Sequence, residues 1–239
     1  MTAPVEIEVE PYGIGNRTGI AIVAGASTTD AETLDAIFAA METALDSYRM
    51  GPADVVRNRI LAASRPARDA ISALRFRRLA GSARCATSSY IDLTRFAGGD
   101  GVRVDTIALR GTAATKTATE HDPPQPPCRF VATGDLVFLS GLTSPEPELH
   151  VQIQRVRVRL TETLALAAAQ LGRDVRPTAA TLFLHRSVGL DELVDLAQMV
   201  GIVGIPLEIG RCDGFSKPGK LLELEIDAEA FGESNASPG

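Results

Sequence analysis

Residues 134 to 148 read GDLVFLSGLTSPEPE, a run of apolar, strand-forming residues that stops at Ser140-Gly141 and is followed by prolines. The pattern predicts a buried strand that ends in a turn of small residues. A similar stretch, GIAIVAGASTTDAE, occupies residues 19 to 32, with Ala24 at the position of Ser140. The same kind of strand therefore occurs twice, once with the serine and once without it.

The segments around the two stretches also follow one order: strands, a helix, a strand, a helix and closing strands. Matching positions recur in that order: Gly25 and Gly141, Asp54 and Asp174, Arg84-Cys85 and Arg211-Cys212, Asp105 and Glu225. A duplicated domain with loop insertions produces such matches. We predict an α+β protein of two tandem ββαβαββ domains, residues 1–112 and 129–239, joined by a proline-rich linker at 113–128. In the second domain, residues 189–203 are predicted to form a helix.

Composition indicates a soluble globular protein, with 45% apolar and 23% charged residues among 239. No apolar run approaches the roughly 20 residues that span a bilayer, and the N-terminus lacks the basic start and apolar core of a secretory signal. The three cysteines are too few for a disulfide framework. We expect a cytoplasmic protein that binds no membrane.

Net charge of −6 argues against nucleic-acid binding. Residues 49 to 78 hold eight arginines and two aspartates, and we interpret this segment as a solvated face. The three histidines show none of the short spacings of ligand pairs, so no metal is expected.

The second half resembles the YjgF/RidA (Rid) superfamily in five motifs: GDLVFLSG, HVQIQ with LAAAQLG, DVRPTAATLFL, IGRCD and LELEIDA. The first half resembles a degenerate copy. The resemblance implies a chorismate-mutase-like, barrel-forming fold, assembled as a trimer with clefts between subunits. Single-domain members hydrolyse reactive enamines and imines derived from amino acids. Two-domain relatives, the chorismatases, hydrolyse the enol-ether side chain of chorismate. Neither group uses a metal or an organic cofactor.

Two candidate catalytic residues follow from the resemblance. Arg211 matches the arginine that pairs with a substrate carboxylate, which suits the fork of a guanidinium. Glu223 matches the glutamate that positions or protonates during attack by water. Glu225 lies two residues further along the strand, on the same face, and we expect it to be solvated.

Further candidates are substrate-binding residues. Gly141 would let backbone N–H groups approach an anionic substrate, and Ser140 would add a hydroxyl donor. Ser140 is not expected to be a nucleophile, because no GxSxG elbow is present. Cys212 is expected to be a structural residue or to line the substrate pocket, and not to be a nucleophile. Arg129 and Arg84 are possible additional anion partners.

The leading hypothesis is a hydrolase of an enamine, an imine or a related small carboxylate metabolite, with no cofactor. The second half would carry the chemistry and the first would serve as a scaffold, because Arg103 stands where Glu223 would be. One alternative is chorismatase-like hydrolysis of chorismate to pyruvate and a cyclic acid. Another is a non-catalytic metabolite-binding or scaffold protein, which Asp213 favours by adding negative charge beside Arg211.

Assembly is predicted from the last strand of each half, which we call the closing strands. In an isolated unit their apolar residues Val102, Val104, Leu222 and Leu224 would be uncovered, and exposed apolar patches mark interfaces. We therefore expect a homo-oligomer, a trimer, with the active cleft at a domain or subunit boundary.

Overall fold

The computed structural model describes residues 3–96, 99–189, 198 and 200–232. The first half contains β1 (Glu6–Ile14), β2 (Arg17–Ala26), α1 (Ala31–Ser47), β3 (Val55–Ala62), α2 (Arg65–Arg78), β4 (Ala86–Ile91) and β5 (Val102–Leu109). The rest contains β6 (Thr117–Thr119), β7 (Phe130–Thr133), β8 (Leu136–Thr143), α3 (Leu149–Leu171), β9 (Asp174–His185), β10 (Leu207–Cys212), β11 (Gly214–Phe215) and β12 (Leu222–Phe231). Most of the helix predicted at 189–203 lies outside the described residues.

The strands form two sheets of six. The first has the order β1-β2-β5-β3-β4-β11 and the second has the order β10-β9-β12-β8-β7-β6. Strand β6 comes from the stretch predicted to be a linker and pairs with β7. Strand β11 comes from the second half and pairs with β4 of the first half. Since β10 and β11 are nearly consecutive, the chain joins the two sheets at this edge.

Helical periodicity places the helices on the outer faces of the sheets. In α1 the apolar residues Leu34, Ile37, Met41 and Leu45 are buried against the first sheet, as their spacing dictates. Helix α2 joins the same core, and α3 covers the second sheet. The inner faces of the sheets meet in an apolar cluster of Val56, Ala86, Leu109, Leu136 and Phe138.

The expectation of uncovered closing strands is wrong. Val102 and Val104 are 0% and 1% exposed, and Leu222 and Leu224 are both 0% exposed. Side chains alternate along a strand, and these four point to the face that the helices of their own half cover. They are core residues within one chain and do not mark a subunit interface.

The arginine-rich segment is not a solvated face, and Glu225 is not solvated either. Arg57 and Glu225 are 4% and 2% exposed. Glu225 accepts from Arg57 Nη1 at 3.2 Å and from Arg59 Nη2 at 2.6 Å. The arginines of β3 are buried because the carboxylates of β12 face them across the contact between the halves, which compensates their charge.

None of the helices within the described residues combines the length and the apolar character needed to cross a bilayer. Over the same residues, no three side chains of His, Cys, Asp or Glu are grouped so that they could hold a metal ion.

Candidate functional site

Strand β12 presents a row of acidic residues to the first half. Its alternating residues Leu222, Leu224 and Ile226 pack beneath α3. The residues between and after them, Glu223, Glu225 and Asp227, therefore face the opposite way. Glu225 and Asp227 bind Arg57 of β3, whereas Glu223 lines a cavity. One strand thus supplies both the contact between the halves and a carboxyl group in a cleft.

The cavity has a volume of about 650 Å³ and lies between the two halves. The first half contributes residues of α2 and β4. The second half contributes residues of β8, α3 and the loop at 216–220, and the stretch 121–129 closes another side. A site at the boundary of two units is where small-molecule pockets commonly form.

Glu223 is the buried acid of this cavity, with 4% of its surface exposed. Burial raises the pKa of Glu223 from its ordinary 4.5 to about 7, because a low-dielectric environment disfavours the charged form. The nearby Lys220 opposes this shift, and Glu225 adds to it. A carboxyl group that titrates near neutral pH can serve as either a general acid or a general base.

Gly141 makes room for Glu223. A Cβ atom at position 141 would lie 2.1 Å from Glu223 Oε1 and 2.5 Å from the carboxyl carbon, closer than non-bonded atoms can approach. The glutamate side chain thus occupies the space beside the glycine. The structure places Gly141 in the cavity, where it allows Glu223 its position.

Ser140 connects the two halves. Its Oγ accepts a hydrogen bond from the backbone N–H of Thr87 at 3.0 Å, and the side chain is buried. The bond joins β8 to β4 at the floor of the cavity, which both residues line.

Most of the other charged side chains that line the cavity are basic. Cations in the lining are Arg68, Arg75, Arg129, Arg159, Lys217 and Lys220, and the acids are Glu162 and Glu223. Arg129 donates from Nε to Thr163 Oγ1 at 3.0 Å. Burial lowers the pKa of Arg75 to about 10 and lowers the pKa of Lys220 from its ordinary value. This balance of charge favours an anionic ligand.

Glu225 is held as an anion beside this cavity. The hydroxyl of Tyr90 donates to its Oε1 at 2.8 Å, and Ser88 Oγ donates to the same oxygen. Burial alone would raise the pKa of Glu225, but Arg59 and Arg57 lower it to about 2. Two glutamates on one strand thus have opposite protonation preferences, which is the arrangement expected of an acid-base site.

Arg211 lies outside the set of residues that line the cavity. Its Nη2 donates to the carbonyl oxygens of Arg186 at 2.9 Å and Val188 at 2.7 Å. The structure therefore does not bring Arg211 and Glu223 together in one cleft of this chain.

Cys212 and Asp213 are also engaged elsewhere. Cys212 packs in an aromatic cluster with Tyr90, Phe183 and Phe215, and burial raises the pKa of its thiol to about 12. Asp213 pairs with Arg186 at 3.2 Å. The thiol is thus protonated at neutral pH, and the negative charge of Asp213 is compensated.

Arg84 contacts the proline-rich stretch that forms one side of the cavity. Its Nε and Nη2 donate to the two carboxylate oxygens of Glu120, each at 2.7 Å, and Nη2 also donates to the carbonyl of Gln125 at 3.2 Å. Gln125 lines the cavity. Arg84 therefore fastens the proline-rich stretch to the first half.

The cavity also contains residues that the sequence analysis did not select, above all Arg68, Ser72 and Arg75 of α2. Their spacing of i, i+4 and i+7 places them on one side of a helix, and that pattern is visible in the sequence. It did not point to a site because the first half was interpreted as a scaffold.

Comparison with known proteins gives a structural likeness only. No family model and no curated protein matches the chain. A chorismatase crystal structure superposes with a TM-score of 0.63 at 13% identity, covering 91% of this chain and 78% of that one. YjgF-family proteins from Mycobacterium tuberculosis and Neisseria meningitidis, each 20% identical, have TM-scores of 0.39 and 0.35. They cover 48% and 49% of this chain, and 99% and 97% of their own. The prediction of an α+β fold made of two tandem units is confirmed, and the chain has the fold of a chorismatase.

Proposed function

We propose that this protein is a hydrolase of a small carboxylate metabolite and that Glu223 is its general acid and base. The observation that carries the proposal is the placement of Glu223, buried in a basic cavity with a pKa of about 7. A group with a pKa near the working pH is the most effective proton donor and acceptor.

The chemistry of the two candidate substrate classes starts in the same way. An acid adds a proton to the alkene carbon of an enamine or an enol ether, which creates an iminium or oxocarbenium ion. Water adds to the cationic carbon, and the amine or alcohol then leaves. Glu223 in its protonated form would supply the first proton, and the resulting carboxylate would accept a proton from the attacking water. The basic groups of the cavity would hold the carboxylate of the substrate.

Chorismatase-like hydrolysis is the second candidate, and one observation favours it. The likeness to a chorismatase structure extends over 91% of the chain and so includes residues of both halves. In that reaction water would convert chorismate into pyruvate and a cyclic acid. A non-catalytic metabolite-binding protein is the alternative from another class.

The test compares the wild type with Glu223→Gln on chorismate, measuring pyruvate, and on a freshly generated enamine or imine of a 2-oxo acid, measuring ammonia. We expect one substrate to be turned over and the amide variant to be slower by a factor of about 10² to 10⁴. The matched control is Glu229→Gln, on the same strand outside the cavity. Equal rates in the wild type and Glu223→Gln would refute the role of Glu223. A ligand that raises the melting temperature without any product would favour the binding protein.

We also retain as a proposal the trimer that the resemblance to the Rid superfamily implies, with the site of each chain at the boundary of its two halves. Size-exclusion chromatography with light scattering measures the mass directly. A monodisperse species near the 25.3 kDa of one chain would contradict it.

A further inference from the structure

Unsatisfied polar atoms are concentrated in one wall of the cavity. Among the described residues, six buried side-chain nitrogen or oxygen atoms have no hydrogen-bond partner, and four of them belong to residues that line the cavity. These four are Arg68 Nε, Ser72 Oγ, Arg75 Nε and Thr87 Oγ1. Buried polar groups are almost always paired because an unpaired one costs free energy. Their concentration on residues of one cavity points to a ligand that accepts hydrogen bonds.

Arg75 carries a buried positive charge, and this charge favours an anion in the cavity. It is 4% exposed, and within the described part of the chain no carboxylate forms an ion pair with it. Its Nη1 donates to the carbonyl oxygen of Ser88 at 2.8 Å, and Glu223 of the same cavity attracts its charge without forming an ion pair with it. Burying an unpaired charge is expensive, and buried cations in proteins are normally paired.

The four residues line the same cavity. Arg68, Ser72 and Arg75 share a side of α2, and Thr87 lies on the neighbouring strand β4. All four come from the first half, whereas Glu223 enters the same cavity from β12 of the second half. Two guanidinium groups with two hydroxyls suit an oxyanion, because charged donors make stronger hydrogen bonds than neutral ones.

We propose that Arg68, Ser72, Arg75 and Thr87 form an oxyanion subsite that binds the carboxylate of the substrate. The proposal rests on the proposed function and deepens it. It makes the first half a substrate-binding unit instead of a scaffold. It also assigns to α2 the role for which the sequence suggested Arg211. The substrate would then bridge the halves, with its acid group on α2 and its reacting carbon toward Glu223.

The test measures binding without turnover. Isothermal titration of the full chain uses three probes with the same ring and different head groups: benzoate, phenyl phosphate and benzamide. We expect benzoate and phenyl phosphate, which both carry an oxyanion, to bind and benzamide, which carries none, not to bind. Arg75→Met and Arg68→Gln should each weaken benzoate binding by about tenfold to a hundredfold, since each removes a charge-assisted hydrogen bond. Arg78→Gln is the matched control, because Arg78 is also on α2 but pairs with Asp35 and Glu42.

Several outcomes would overturn the subsite. These are no benzoate binding by the wild type, benzamide binding as tight as that of benzoate, or benzoate affinity that falls in Arg211→Met and stays unchanged in both α2 variants. If circular dichroism shows that Arg75→Met is unfolded, Arg68→Gln and Ser72→Ala decide the question. Failure of the proposed function is distinguishable, because a protein without any hydrolytic activity would still show benzoate binding that depends on Arg68 and Arg75.

Discussion

Arg57 of β3 and Glu225 of β12 form an ion pair across the two halves, with Nη1 and Oε2 3.2 Å apart and side chains that are 5% and 2% exposed. Arg57 also donates to the carbonyl oxygen of Ile226 at 2.9 Å and to the carboxylate of Asp227. The contact between the halves is therefore both buried and charged. It positions β12 against the first half, and with it Glu223, which lies two residues from Glu225.

Removing one member of this pair is expected to be strongly destabilising. Arg57→Met leaves Glu225 and Asp227 without one of their cations, and breaking a buried pair costs about 3–5 kcal/mol. The free energy of unfolding, measured by urea titration, checks this. Arg78→Gln removes two partly exposed ion pairs and should cost no more than about 1 kcal/mol. Similar small losses in both variants would show that Arg57 is dispensable for the contact.

Gly141→Ala should disable the site while the fold persists. The added methyl group would collide with the carboxyl group of Glu223, since the Cβ would lie 2.1 Å from Oε1. We expect hydrolysis to fall at least tenfold and the pH dependence of activity to change. Gly51→Ala is the control, because nothing lies within 4 Å of a Cβ at that position. Unchanged kinetics in Gly141→Ala would mean that the position of Glu223 does not matter.

Stability should depend on pH through Glu223 in a defined direction. Its pKa of about 7 in the folded protein lies above the ordinary value of 4.5. The folded state therefore holds this proton more tightly, and the stabilisation is complete below about 4.5 and is lost as pH rises through about 7. The total is about 3 kcal/mol at 1.36 kcal/mol per pKa unit. The free energy of unfolding of the wild type minus that of Glu223→Gln should therefore fall by about 3 kcal/mol between pH 4.5 and 8.

Glu225 should act in the opposite direction. Its pKa of about 2 lies below the ordinary value, so its contribution is present above about pH 4.5 and is lost as pH falls toward 2. Unfolding curves of the wild type and Glu225→Gln between pH 2 and 5 separate this effect from that of Glu223. A difference between the two proteins that stays constant over this range would contradict it.

The thiols should be inert in the folded protein. Cys85, Cys128 and Cys212 are all buried, and burial raises the pKa of Cys85 and of Cys212 to about 12. Because the thiolate is the reactive form, iodoacetamide at pH 7 should modify none of the three until denaturant is added. Mass spectrometry counts the modified sites. Rapid labelling of native Cys212 would indicate that it is accessible from a cleft.

Much of the fold follows from local patterns. The order of strands and helices in each half was predicted from apolar patterns, because each pattern depends only on side chains a few residues apart. The same order of strands and helices in both halves predicted two tandem domains. The residues Glu223, Ser140, Gly141 and Arg129 of the candidate cavity were also selected from the sequence. The sequence did not reveal that Glu225 would be buried, since nothing within β12 shows which residues face it.

The amino-acid sequence by itself determined the strands, the helices and the duplication, and it placed two glutamates on one face of a strand. Only the tertiary structure decided that one of them would be an ion-paired anion and the other an acid that titrates near pH 7. That difference arises from contacts with β3, β4 and α2, which are more than 100 residues away along the chain. The protonation of a buried carboxyl group depends on the charges and solvent around it, and those are set by how the two halves pack together.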